Sequence, residues 1–151
     1  MAGTQTPSAV IVFNELTTLV GDRQGYDTRE KHSYSVNYHL TANGSALVET
    51  WTVSPGREAL TIYTLDGSRL LATHYCPRGN QPRLVFAGQD SGGNFRFQFV
   101  DGTNLQDPNG IHQHAFRIRE TPTERRGRSE EERYEHSSRA YLEMSPKPGA
   151  R

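Results

Sequence analysis

The chain has 151 residues, 17 basic and 17 acidic side chains, and one cysteine. That length fits a single domain with a real core, and the balanced charge supplies no basic field for nucleic acid or an anionic membrane. No apolar run approaches the about 20 residues of a membrane span, no leader-like segment opens the chain, and Cys76 alone forms no internal disulfide, so the expectation is a soluble cytoplasmic protein.

The hydrophobic fraction is 33% and the mean hydropathy −0.76, but the polarity is uneven. Residues 119–151 carry 15 charged side chains in 33 positions, against 19 in residues 1–118. The expected organisation is a disordered N-terminus over 1–7, one folded domain over 8–142, and a disordered tail over 143–151.

Ser8 is a candidate N-cap for a helix in which Val10, Phe13, Leu16 and Leu19 or Val20 recur at helical spacing, with Gly21 as the stop. Period-two patterns follow. Tyr34, Val36, Tyr38 and Leu40 alternate with polar residues, and Asn43-Gly44 predicts a type I′ hairpin turn. Asn43-Gly44-Ser45 also fits a glycosylation sequon, but without a signal peptide it reads as that turn.

Leu47, Trp51 and Val53 share one alternation in the next strand. Ser54-Pro55-Gly56 and Asp66-Gly67 then turn the chain into strands over 59–65 and 69–75. Beyond the Cys76–Gln81 loop come strands over 83–88, 95–99 and 111–119. A last, highly charged strand is expected within 128–142. Eight to ten short antiparallel strands after one short helix predict an all-β fold, an up-and-down barrel with a sandwich as its competitor.

Phe13-Asn14-Glu15-Leu16, Asn43-Gly44-Ser45 to Trp51, Tyr63-Thr64-Leu65-Asp66-Gly67, and His74-Tyr75-Cys76 with Gly79-Asn80-Gln81-Pro82-Arg83 together resemble an uncharacterised bacterial domain family of the calycin (lipocalin-like) superfamily. The resemblance spans about residues 11–119. It implies a β-barrel with a central cavity and a distant architectural likeness to the haem-binding nitrobindins. It brings no established activity. Where such families usually carry a Trp after the first-strand glycine, this chain has Asp22.

The candidate chemistry lies in histidines. His74 and Cys76 are two apart at a strand end, about 6.5–7 Å at ~3.3 Å per residue. His112 and His114 continue the alternation of Phe116 and Ile118, so three imidazoles and a thiol could share the interior. Zinc at His74, His112 and His114 is one reading; haem on His112 or His114, implied by the nitrobindin likeness, is another. A third is an organic ligand met by histidine as hydrogen-bonding or acid–base group. The plainer reading is that the histidines satisfy one another or nearby loop groups.

The favoured expectation is a small, largely apolar molecule held inside, with His74, His112 and His114 as polar contacts. Tyr38, Trp51, Tyr63 and Phe97 are its expected walls, and Arg83 its contact at the rim. An enzyme using the same cavity is the alternative. The loop from Pro77 to Pro82 reads mainly as a braced segment, possible partner the 101–110 loop, with Arg78 and Arg83 able to fork onto a carboxylate. No nucleic-acid or membrane partner is expected, and a homodimer through an exposed strand face fits a fold of this size.

Overall fold

The structure, a computed structural model, describes residues 6–27, 31–105, 112–119, 126–133 and 138–146, the last two stretches as backbone. Among these residues one helix, α1 (Ala9–Thr17), precedes ten strands: β1 (Gly21–Asp27), β2 (His32–Thr41), β3 (Ala46–Ser54), β4 (Arg57–Asp66), β5 (Arg69–Tyr75), β6 (Gln81–Gln89), β7 (Asn94–Thr103), β8 (His112–Arg119), β9 (Arg126–Arg133) and β10 (Ser138–Pro146). All pairings are antiparallel, each strand with its neighbours in sequence, and β1 pairs with β10 as well as β2, so the pairings form a ring.

Ser8 caps α1 as expected, its hydroxyl accepting the Ile11 N–H at 3.3 Å. The buried stripe is Ala9, Val12, Phe13 and Leu16, spaced i, i+3, i+4 and i+7, while Val10 is exposed. The sequence reading therefore had the helix face off by part of a turn. Burying side chains such as Val12, Phe13 and Leu16 contributes about 1.5–3 kcal/mol each. Among the described residues no helix is long and apolar enough to cross a membrane.

Two elements differ from the sequence expectation. β1, Gly21 to Asp27, carries no apolar alternation, so that only the family resemblance, and not the residue pattern, implied a strand after Gly21. The single charged strand expected within 128–142 is two, β9 and β10, and β10 continues to Pro146, past the expected domain boundary at 142. Residues 1–5 and 147–151, where tails were expected, lie outside the described residues.

The β2–β3 connection is longer than a two-residue I′ turn. Ala42, Asn43 and Gly44 all have positive φ (51°, 56° and 80°). The Gly44 N–H donates to Thr41 O and the Ser45 N–H to Ala42 O. Asn and Gly tolerate this left-handed run, and Ala42 is the residue it costs.

Register places the two ends of the sheet. α1 leads into Gly21, which pairs with Tyr38, so the helix lies toward the end that carries the β2–β3, β4–β5 and β6–β7 turns. It packs against β2, β4 and β5. The Pro55-Gly56 turn, the Cys76–Asn80 loop and the start of β8 lie at the opposite end. Between them, side chains of α1 and the inner sheet face form one core, with Leu47, Tyr63, Leu70, Leu84, Phe95, Phe97, Phe116 and Ile118 essentially inaccessible.

Candidate functional site

Four inward side chains form a polar row across adjacent strands. Tyr38 on β2 pairs directly with Glu49 on β3, Glu49 with Thr61 on β4, and Thr61 with His74 on β5. Cross-strand partners sit about 4.5–5.5 Å apart at Cβ, so consecutive members touch. All four are buried. This row lies on the side of the Leu47–Tyr63–Ala72–Leu84 row that faces away from α1.

Glu49 is the centre. Its Oε2 accepts from the Tyr38 hydroxyl at 2.5 Å and from the Tyr63 hydroxyl at 2.9 Å, and its Oε1 accepts from Trp51 Nε1 at 2.6 Å. Taking a carboxylate out of water is expensive, and hydrogen bonds from three aligned donors offset part of that cost. Apolar packing at the same volume would often be at least as stable. Tyr34 stands edge-on to Trp51 at 5.9 Å, extending the aromatic surround toward the end opposite α1.

His74 meets Thr61, its Nδ1 lying 3.1 Å from Thr61 Oγ1. At the same end, on β8, His112 Nε2 and His114 Nδ1 are 3.2 Å apart. Such a contact needs one ring nitrogen to donate and the other to accept. A register irregularity between Gln113 and Ala115 buries Gln113 beside His112, while His114 is half-buried. Phe99 covers both imidazoles, with ring centroids at 4.3 Å and 5.6 Å.

The sequence-predicted residues thus separate into groups. Tyr38, Trp51 and Tyr63 converge, but on Glu49. His112 and His114 meet each other, and His74 meets Thr61. Phe97 is core: it stacks on Phe116 at 4.6 Å and 11° and meets Tyr63 edge-on at 5.8 Å.

Arg83 lies on the outer face, where it forks onto Asp101 at 2.7 and 2.6 Å. Both side chains are about half exposed (48% and 50%), so the guanidinium braces β6 against β7. The Arg83 guanidinium, through that hydrogen bond, holds the Asp101 carboxyl below its ordinary range.

The 76–81 loop is braced as expected. The Cys76 N–H donates to Asn80 O and the Gly79 N–H to Cys76 O. Gly79 O accepts from the Gln81 and Asn104 side chains, and Thr103 donates to Gln81 Oε1 at 2.6 Å. Gly79 has φ 87°, a conformation that favours glycine.

Among the described residues, no three His, Cys, Asp or Glu side chains come together in a way that could hold a metal ion. The three-histidine zinc set is therefore not assembled by them. The donor set does not fit a haem either. An axial imidazole needs an open face for the macrocycle, and His112 and His114 are turned toward each other with Phe99 against both.

Glu49 and Thr61 are the site residues that the sequence reading missed. Glu49 sits between Leu47 and Trp51 on the alternation that was read as apolar, and Thr61 sits between Ala59 and Tyr63. A charged residue at an inward position between two large apolar ones was the available signal. No protein-family model matches the chain, and no curated protein matches it.

Proposed function

We propose that this chain is a calycin-like barrel that binds a small, largely apolar molecule in its interior. The observation that carries the reading is the fully buried Glu49 carboxylate, held by Tyr38, Tyr63 and Trp51 within an aromatic interior and paired in register with Thr61 and His74. Small-molecule sites are mostly apolar with a few fixed polar groups, and this is such a set. His112 and His114, at the same end of the sheet as His74, are further polar contacts for a ligand entering opposite α1. The single cysteine and the want of an internal disulfide suit a reducing cytoplasm as the place of action.

Native mass spectrometry of the purified protein tests this directly. The expected result is a co-purifying molecule of a few hundred daltons, lost on denaturation, whose re-addition raises the melting temperature. A homogeneous apo mass, with no stabilisation by any member of a small-molecule library, would overturn it.

A second reading, acid–base catalysis, draws on the Thr61 hydroxyl lying within hydrogen-bond reach of an imidazole. It requires that His74→Gln abolish turnover of a bound molecule while leaving its binding intact.

A further inference from the structure

We infer that Asn43 is a site of spontaneous deamidation, and that Ala42 governs its rate by setting how often the β2–β3 turn opens. The inference is independent of what the interior binds.

Asparagine is among the thermally labile residues, and the chemistry is local. The backbone nitrogen of the following residue loses its proton and attacks the side-chain Cγ. The N–Cγ bond forms, the Cγ–Nδ2 bond breaks and ammonia leaves, which closes a succinimide ring. Water then opens the ring at either carbonyl, so that aspartate or iso-aspartate replaces asparagine. A following glycine favours the attack, because it has no Cβ to crowd the nitrogen. Asn43-Gly44 is the one Asn–Gly pair among the described residues, and Asn109-Gly110 lies outside them.

The surroundings leave this pair open to reaction. Residues 41–45 are all exposed, and a Cβ added at Gly44 would meet nothing within 4 Å. Among the described residues, nothing hydrogen-bonds to the Asn43 side chain. Asn37, Asn94 and Asn104, by contrast, give a side-chain N–H to Asp22, Asp90 and Gly79 O. Each of those three is followed by a bulky residue, Tyr38, Phe95 and Leu105.

The closed turn holds the reaction back. The Gly44 N–H donates to Thr41 O at 3.1 Å, and the Ser45 N–H and hydroxyl both donate to Ala42 O, at 3.2 and 2.6 Å. While these bonds stand, the attacking nitrogen keeps its proton engaged and Asn43 is fixed at φ 56°. Exposed turns open locally at low free energy. Here the closed form also requires Ala42 at φ 51°, a conformation that a residue with a Cβ disfavours. Ala42 therefore biases the turn toward opening, and tunes the chemistry without taking part in it.

The experiment incubates the full chain in mildly alkaline buffer at body temperature, and in parallel in guanidinium chloride. Mass spectrometry follows the tryptic peptide 32–57, which holds Asn37 and Asn43. Electron-transfer fragmentation locates the altered residue and separates iso-aspartate from aspartate.

The expected result is that Asn43 reacts before Asn37, Asn94 or Asn104, giving both products, and more slowly in the folded chain than in the denatured one. Ala42→Gly should slow the folded chain about threefold, because glycine relieves the strain but gains freedom in the open turn. The same substitution should leave the denatured rate unchanged. An intact Asn43 beside another deamidated asparagine, or aspartate without iso-aspartate, overturns the site. Equal rates in folded and denatured chains overturn the gating by the turn. A folded rate unmoved or quickened by Ala42→Gly overturns the role of Ala42.

Discussion

The Tyr38 hydroxyl donates to Glu49 across a directly paired position, 2.5 Å from oxygen to oxygen, with both residues inaccessible to solvent. The Tyr63 hydroxyl reaches the same carboxylate oxygen from β4. Two phenols on strands either side of β3 therefore share one acceptor, and their contributions should not add. Tyr63→Phe is expected to lower stability by about 1–3 kcal/mol, the cost of removing a donor from a buried charged acceptor. In a double-mutant cycle with Glu49→Gln, the second substitution should cost clearly less than it does alone. Urea unfolding of the four proteins measures this, and additive losses would show that the carboxylate does not couple to Tyr63.

Phe97 is expected to behave as core. Its ring stacks on Phe116, meets Tyr63 edge-on and is inaccessible to solvent. Phe97→Ala should cost about 3–5 kcal/mol, whereas Phe97→Leu should retain most of the stability. Thermal denaturation distinguishes the two. A loss below about 1 kcal/mol for the alanine variant would place the ring against a void instead of packed neighbours.

Gly102 has little room for a side chain. An added Cβ would lie 2.9 Å from Gln81 O and from Pro82 Cα, and 2.7 Å from Leu105 Cδ1. Leu105 can rotate away, but the β6 backbone cannot. Gly102→Ala should therefore destabilise by about 1–3 kcal/mol and weaken protection of the β6–β7 amides in hydrogen exchange. Unchanged exchange at the Gln81 and Arg83 amides would contradict this close approach.

The Arg83–Asp101 pair gives an acid-side signature. Because the guanidinium holds the Asp101 carboxyl below its ordinary 3.8, the pair contributes stability that is fully present above that value. It is lost as the pH falls through the lower, folded-state titration of Asp101. The pair is half exposed and screened, so the contribution is small. Carbon-detected NMR titration should find the Asp101 midpoint below 3.8 in the parent and returned toward the ordinary value in Arg83→Ala. An identical midpoint in both would exclude the pairing in solution.

The fold was legible wherever an apolar period existed. The β2 alternation of Val36 and Tyr38, and the β7 alternation of Phe95 and Phe97, appear as buried faces because burial is what imposes period two. β1 and β9 carry no such period, and ladder bonds to neighbouring strands define them, which no local pattern encodes, whereas β10 has Ala140, Leu142 and Met144 at period two among its charges. Of the site, the inward placement of Tyr38, Trp51 and Tyr63 and the neighbouring His112 and His114 on β8 were readable. The point on which Tyr38, Trp51 and Tyr63 converge was not, because the alternation of Leu47, Trp51 and Val53 left Glu49 unassigned between them. Parity alone would have placed it inward, but its three donors come from β2, β3 and β4, and only the register brings them together.

The β1–β10 ladder joins Arg23–Asp27 to Leu142–Pro146, the two extremes of the paired sheet. On a ribosome the helix and first strand emerge early, and β1 must then wait with one row of amides and carbonyls open until β10 has left the exit tunnel. Such an unpaired edge is a template for another chain, so the interval is one of exposure to aggregation. Synthesis rate and chaperone supply should then govern the yield of soluble protein more than the stability of the finished molecule does.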